Sequence, residues 1–98
     1  MKIQSTLRIA ADHPAFAGHF PDFPLLPGAV LLDEMLQAIE TARGIDLRSW
    51  RVSAAKFLGA VRPRDSLLLE HETTAAGSIH FTIRVDDRKV ASGTLHES

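Results

Sequence analysis

His19-Phe20-Pro21-Asp22-Phe23-Pro24-Leu25-Leu26-Pro27-Gly28 runs straight into Ala29-Val30-Leu31-Leu32-Asp33-Glu34-Met35-Leu36-Gln37-Ala38-Ile39-Glu40-Thr41-Ala42-Arg43-Gly44. Prolines at positions 21, 24 and 27 each fix φ and remove a backbone donor, which leaves little freedom between the His19 imidazole and Gly28. Pro27 suits a first helical position, where its missing N–H costs nothing. Beyond it, at about 100° per residue, Leu31, Leu32, Met35, Leu36, Ala38, Ile39 and Ala42 fall on one broad apolar face. Gly44 is a good residue to follow a helix end, and Arg43 sits well against the negative end of the dipole. The spacing therefore predicts a helix to Arg43 whose apolar face lies on a sheet. Its other face collects Val30, Asp33, Glu34, Gln37, Glu40 and Thr41. That set reads either as a solvated surface or as one wall of a site. Asp33 and Gln37 stand at i and i+4, so the two can share such a site.

Strand patterns flank the helix. Ile3 to Ala10 alternates, with Ile3, Leu7 and Ile9 on one parity and Gln4, Thr6 and Arg8 on the other. Asp12-His13-Pro14 breaks it. The aperiodic stretch to Pro27 is a loop of about fourteen residues, where connections usually run to roughly 4–6, and long loops are often functional. After the helix come four more strand-like runs, Trp50–Leu58, Ser66–Thr74, Ser78–Asp86 and Lys89–His96. Ala76-Gly77 and Asp86-Asp87-Arg88 make hairpin turns between the last three, and Pro63 separates the first two. One strand, one long helix and four strands with hairpin links give an α+β architecture, a helix on an antiparallel sheet of about five strands.

Composition narrows the function. The chain has 98 residues, which is one domain spanning 1–98. A chain of this size buries roughly 60–70% of its unfolded surface. An apolar content of 45% is generous for so thin a core and favours an oligomer. Without cysteine there is neither a disulfide framework nor a thiolate zinc site. A net charge of −1 argues against bulk nucleic-acid binding. No apolar run is long enough for a membrane span, and the first residues show no signal-peptide pattern, so a soluble cytoplasmic protein is expected. His13, His71, His80 and His96 lack ligand spacing and read as surface histidines, so metal binding is not expected.

The quoted residues also carry a family resemblance. Phe16 to Gly28, followed by Asp33 and Gln37, resembles the hotdog-fold 3-hydroxyacyl-[acyl-carrier-protein] dehydratases, whose signature is G-H-F-P-x-x-P-x-x-P-G. In that family an acidic residue stands fourteen positions after the histidine and a glutamine four further on, which matches Asp33 and Gln37. Lys56-Phe57-Leu58-Gly59-Ala60-Val61-Arg62-Pro63-Arg64-Asp65-Ser66-Leu67 is similar to the family's K-F-x-x-P-V-x-P-G-D-x-L segment. Ala60 and Arg64 depart from it, aspartate replaces the more usual glutamate, Glu34 sits next door, and the chain has no tyrosine. The shorter link between helix and Lys56 strand looks more like the compact dehydratases of specialised lipid or aryl-polyene pathways. The resemblance implies a hotdog fold, a long central helix wrapped by the sheet. It also implies a homodimer, or a higher oligomer of dimers, joined edge to edge into a continuous sheet. In that family the histidine of one chain meets the acidic residue of the other.

Dehydration of a 3-hydroxyacyl thioester removes a proton from C2 and expels the hydroxyl of C3. On the resemblance, His19 is the base, and Asp33 donates the proton, or orients the water, that removes the C3 hydroxyl; if Asp33 holds a proton, burial must raise its pKa. The Gly28 amide polarises the thioester carbonyl at a helix N-terminus, and its missing side chain lets the acyl group approach. Gln37 supports Asp33. Phe20, Phe23, Val30 and Phe57 are candidates to line the acyl tunnel, although core packing accounts for each equally well. No cofactor is called for, since the substrate travels on the phosphopantetheine arm of an acyl carrier protein or on coenzyme A. Arg43, Arg48, Arg51, Arg62 and Arg64 can form a basic rim for that phosphate or for the acidic carrier, or simply a solvated surface. Two other readings compete: a hotdog acyl thioesterase, and a non-catalytic acyl-binding or dimerisation partner.

Overall fold

The computed structural model of the chain describes residues 2–7, 9, 28–62 and 65–97. Strands β1 (Lys2–Leu7), β2 (Trp50–Phe57), β3 (Leu67–Thr73), β4 (Ile79–Val85) and β5 (Arg88–Glu97) form one sheet in the order β1-β3-β4-β5-β2, and helix α1 covers Gly28–Arg43. Every pairing is antiparallel. The α+β arrangement read from the sequence is present, with element ends displaced by a few residues at most where they are described. His19, Phe20, Phe23 and Arg64 lie outside the described residues. No described helix is long and apolar enough to cross a membrane.

Alternation sets the core. Leu67, Leu69 and His71 on β3, and Ile79, Phe81, Ile83 and Val85 on β4, turn to the helix side, where they meet Leu31, Met35 and Ile39. Phe81 is fully buried because its β5 partner is Gly93. A Cβ there would stand 2.7 Å from the Phe81 Cζ, so the glycine provides the space for the ring. The helix ends as its sequence predicts: Gly44 has φ +65°, and its N–H donates to the Glu40 carbonyl at 2.8 Å. Of the strands, β1 has the most backbone contact with α1. At the far edge β2 lies open, exposed along nearly its whole length, with Val52 36% and Phe57 51% exposed. The register of β2 on β5 shifts between Ser53 and Lys56, where Ala54 takes φ +52°, the mark of a β-bulge.

One histidine departs from its expected place. His71 is 1% exposed rather than at the surface, because it continues the inward parity of Leu67 and Leu69. Arg43 reaches it from the last turn of α1, donating Nε–H to His71 Nδ1 and Nη1–H to Thr73 Oγ1, both at 2.9 Å. Arg43 is thus engaged inside the fold and is not free for a basic rim. Burial first, and the Arg43 charge second, hold the His71 pKa below its ordinary value of 6.5. The unfolded chain therefore binds a proton before the folded one does. The contribution of neutral His71 is complete above about pH 6.5 and is lost as pH falls through the lower folded value. Urea midpoints should accordingly fall between pH 7 and pH 5, and His71→Gln, which keeps an acceptor for Arg43 but cannot titrate, should flatten that fall. An equal fall in the variant would assign it to another group.

Candidate active site

The first turn of α1 is Gly28-Ala29-Val30-Leu31, which has no acidic side chain. The opening N–H groups of a helix have no carbonyl partner within it, and this turn supplies no side-chain acceptor either. It is suited to receive an oxygen that gains negative charge. The space beside Gly28 is not empty. Cε1 and Cζ of Phe57 lie 2.9 Å from where a Cβ on Gly28 would stand, so the ring fills the place left by the missing side chain. Val30 is half-buried and packs against the core.

One turn further along, Asp33 and Gln37 project from the exposed flank of α1 and are paired. The Gln37 amide Nε2 donates to Asp33 Oδ2 at 2.9 Å. Oδ2 is thereby used, and Oδ1 has no partner among the described residues. Glu34 is set about 100° away around the helix, on the flank that faces β1, where it lines a groove with Leu7, Ala38 and Thr41. The carboxylate joined to Gln37 is therefore Asp33.

On the neighbouring flank, with Gln37 at the boundary, Asp33, Leu36, Gln37, Glu40, Leu47 and Arg48 surround a cavity of about 150 Å³. Leu36 and Leu47 supply apolar walls. Glu40 holds the connection after the helix in place by accepting the Leu47 N–H on Oε2 at 2.9 Å. Arg48 is bound by its own loop: its Nη2 meets Asp46 Oδ2 at 2.7 Å, and this hydrogen bond holds the Asp46 carboxyl below the usual carboxylate range. Arg51 sits on β2 opposite His96, and the outer face of the sheet carries its own ion pairs, Glu70 meeting Arg84 at 2.9 Å and Lys2 at 3.5 Å. Among the described residues, Arg43 and Arg48 are thus engaged within the fold and are not offered to a common rim. Among the described residues no cluster of His, Asp and Glu is arranged to hold a metal ion.

The arrangement unites Gly28, Phe57, Asp33 and Gln37 on one helix and the strand end beside it. Glu40 and Leu47 were not singled out by the sequence, although Glu40 stands two turns from Asp33 on the same side. The Gly28–Phe57 contact had no local signal, since the two residues are far apart in the chain.

Comparison with known proteins places the chain among relatives. Among curated relatives, the 3-hydroxyacyl-[acyl-carrier-protein] dehydratase FabZ of Chlamydia pneumoniae is 30% identical over 106 aligned positions, covering 95% of this chain and 69% of that protein. The FabZ of Chlamydia caviae is 34% identical over 71% of this chain and 51% of its own length. The chain thus spans between about half and three quarters of the curated relatives it matches. Among solved structures, the dehydratase heterocomplex ApeI:P from Xenorhabdus doucetiae superposes with a TM-score of 0.77 at 23% identity, covering 97% of this chain and 85% of that one. A fluoroacetyl-CoA thioesterase, FlK, superposes with a TM-score of 0.69 at 13% identity, covering 97% of this chain and 83% of its own. These likenesses show the hotdog fold. The family model of the ApeI dehydratase matches residues 1–94, and the chain belongs to the ApeI-like dehydratase family.

Proposed function

We propose that the protein catalyses the reversible dehydration of a 3-hydroxyacyl thioester, carried by an acyl carrier protein, to the trans-2-enoyl thioester and water. The observation that carries this reading is the Asp33 carboxyl held by Gln37 at 2.9 Å, on a helix whose first turn carries no acidic side chain of its own. As the C2 proton moves to the His19 imidazole, negative charge gathers on the thioester oxygen and is met by the Gly28 N–H. The C3–O bond then breaks, and the hydroxyl leaves as water with a proton from Asp33. Gln37 occupies Oδ2, so Oδ1 is the oxygen that meets the substrate. The thioester supplies the activation, and the reaction calls for no cofactor.

A proton-donating carboxyl needs a shielded setting, and Asp33 is exposed on the single chain. The open β2 edge and the exposed Ile45, Val52, Phe57 and Leu58 supply the reason and the means. Pairing of β2 with β2 of a second copy would cover these groups and bring Asp33 of one chain to His19 and Gly28 of the other. The dehydratase heterocomplex among the structural relatives favours a second possibility, a different chain as partner in place of a copy.

The assay is hydration of a trans-2-enoyl thioester, followed by loss of enoyl absorbance together with free thiol. Absorbance should fall without thiol release; thiol release would mean a thioesterase, and inertness across chain lengths a binding partner. His19→Ala and Asp33→Asn should each lower kcat at least about 100-fold, as removal of a general acid or base does. Gln37→Leu should lower it less, about tenfold, since it withdraws a hydrogen bond that orients Asp33 and leaves the acid itself.

A further inference from the structure

The start of α1 and the exposed strand β2 meet at Gly28 and Phe57. Ring atoms Cε1 and Cζ stand 2.9 Å, and Cδ1 3.2 Å, from where a Cβ on Gly28 would be. The ring nonetheless remains 51% exposed, so burial in the core does not explain why it lies there. Its backbone is well fixed. Phe57 is opposite Ala91 of β5, and the next N–H, that of Leu58, donates to the Val90 carbonyl at 2.8 Å. A ring held by a strand thus rests on the residue of the helix with the freest backbone.

We propose that Phe57 is a positioning residue for the dehydration. Its ring, seated on Gly28, fixes the first turn of α1 and with it the aim of the N–H group that takes the thioester oxygen. This rests on the function proposed above. Three physical effects act together. The first turn, Gly-Ala-Val-Leu, carries no polar side chain of its own, so what packs against it helps to set its direction. A donor acts on developing charge only as far as it is already aimed, and a glycine without a neighbour would wander. An apolar ring beside the donor also lowers the local dielectric and strengthens an N–H bond to a charged oxygen, while its C–H edge is the positive part of the quadrupole. Glycine at position 28 lets the ring take this seat, because a methyl group there would displace it.

Two measurements test this. In steady-state hydration of a trans-2-enoyl thioester, Phe57→Ala should lower kcat about tenfold with KM changed by no more than about twofold, since the interaction lost is one made in the transition state. Phe57→Leu, which still covers Gly28, should recover most of the rate. A raised KM with unchanged kcat, or parental kinetics in Phe57→Ala, would overturn the proposal. Urea unfolding of Gly28→Ala, Phe57→Ala and the double variant reads the seat itself. Gly28→Ala should lower the midpoint, and removing the ring as well should restore much of the loss; additive losses would overturn the seat. A parent protein without hydratase activity would remove the reaction and this role together, whereas additive losses in an active parent would remove this role alone.

Discussion

A single helix is narrower than the sheet it lies on. An α-helix with its side chains is about 10–12 Å across, whereas five strands spaced about 4.8 Å apart present a wider surface. Helix α1 packs Leu31, Met35 and Ile39 against β3 and β4 and lies nearest β1, and that arrangement leaves β2 uncovered. Val52 shows the result: it stands opposite fully buried Leu95 and is itself 36% exposed. The flank of α1 that carries Asp33 and the cavity beside Leu36 and Leu47 is open for the same reason. The uncovered edge and the exposed carboxyl are two consequences of one geometric mismatch, and a second chain on β2 would answer both.

Much of the fold was legible because it depends on local periods. The spacing from Leu31 to Ile39 is that of a helix, Gly44 ends it, and the alternation in β3 to β5 gives both strands and faces. The exposure of β2 was not legible, since alternation says which residues share a face but not whether a helix lies over that face. His71 is a mixed case. Its parity with Leu67 and Leu69 pointed inward, yet nothing local indicated that Arg43 would cross to meet it with a hydrogen bond at 2.9 Å. The burial of a polar side chain depends on a partner, and that partner came from another element.

The site divides in the same way. The i,i+4 spacing of Asp33 and Gln37 foretold their hydrogen bond, and the angle between adjacent helical residues separates Asp33 from Glu34 once the position of β1 is known. Gly28 was expected to make room for substrate, but its open side holds the Phe57 ring, a contact only the fold could create. Two of the five candidate rim arginines are drawn to acceptors nearby, Arg43 to His71 and Thr73 and Arg48 to Asp46.

The central claim is that the reaction is carried out at a site completed across the β2 edge. Mixing His19→Ala and Asp33→Ala chains after joint unfolding and refolding tests it most directly. In a symmetric dimer with sites shared between chains, half of the mixed pairs' sites regain both groups, so activity should return to about a quarter of the wild-type level. If each chain instead carries a complete site of its own, the mixture will stay as inactive as either variant alone, and that result would contradict the account.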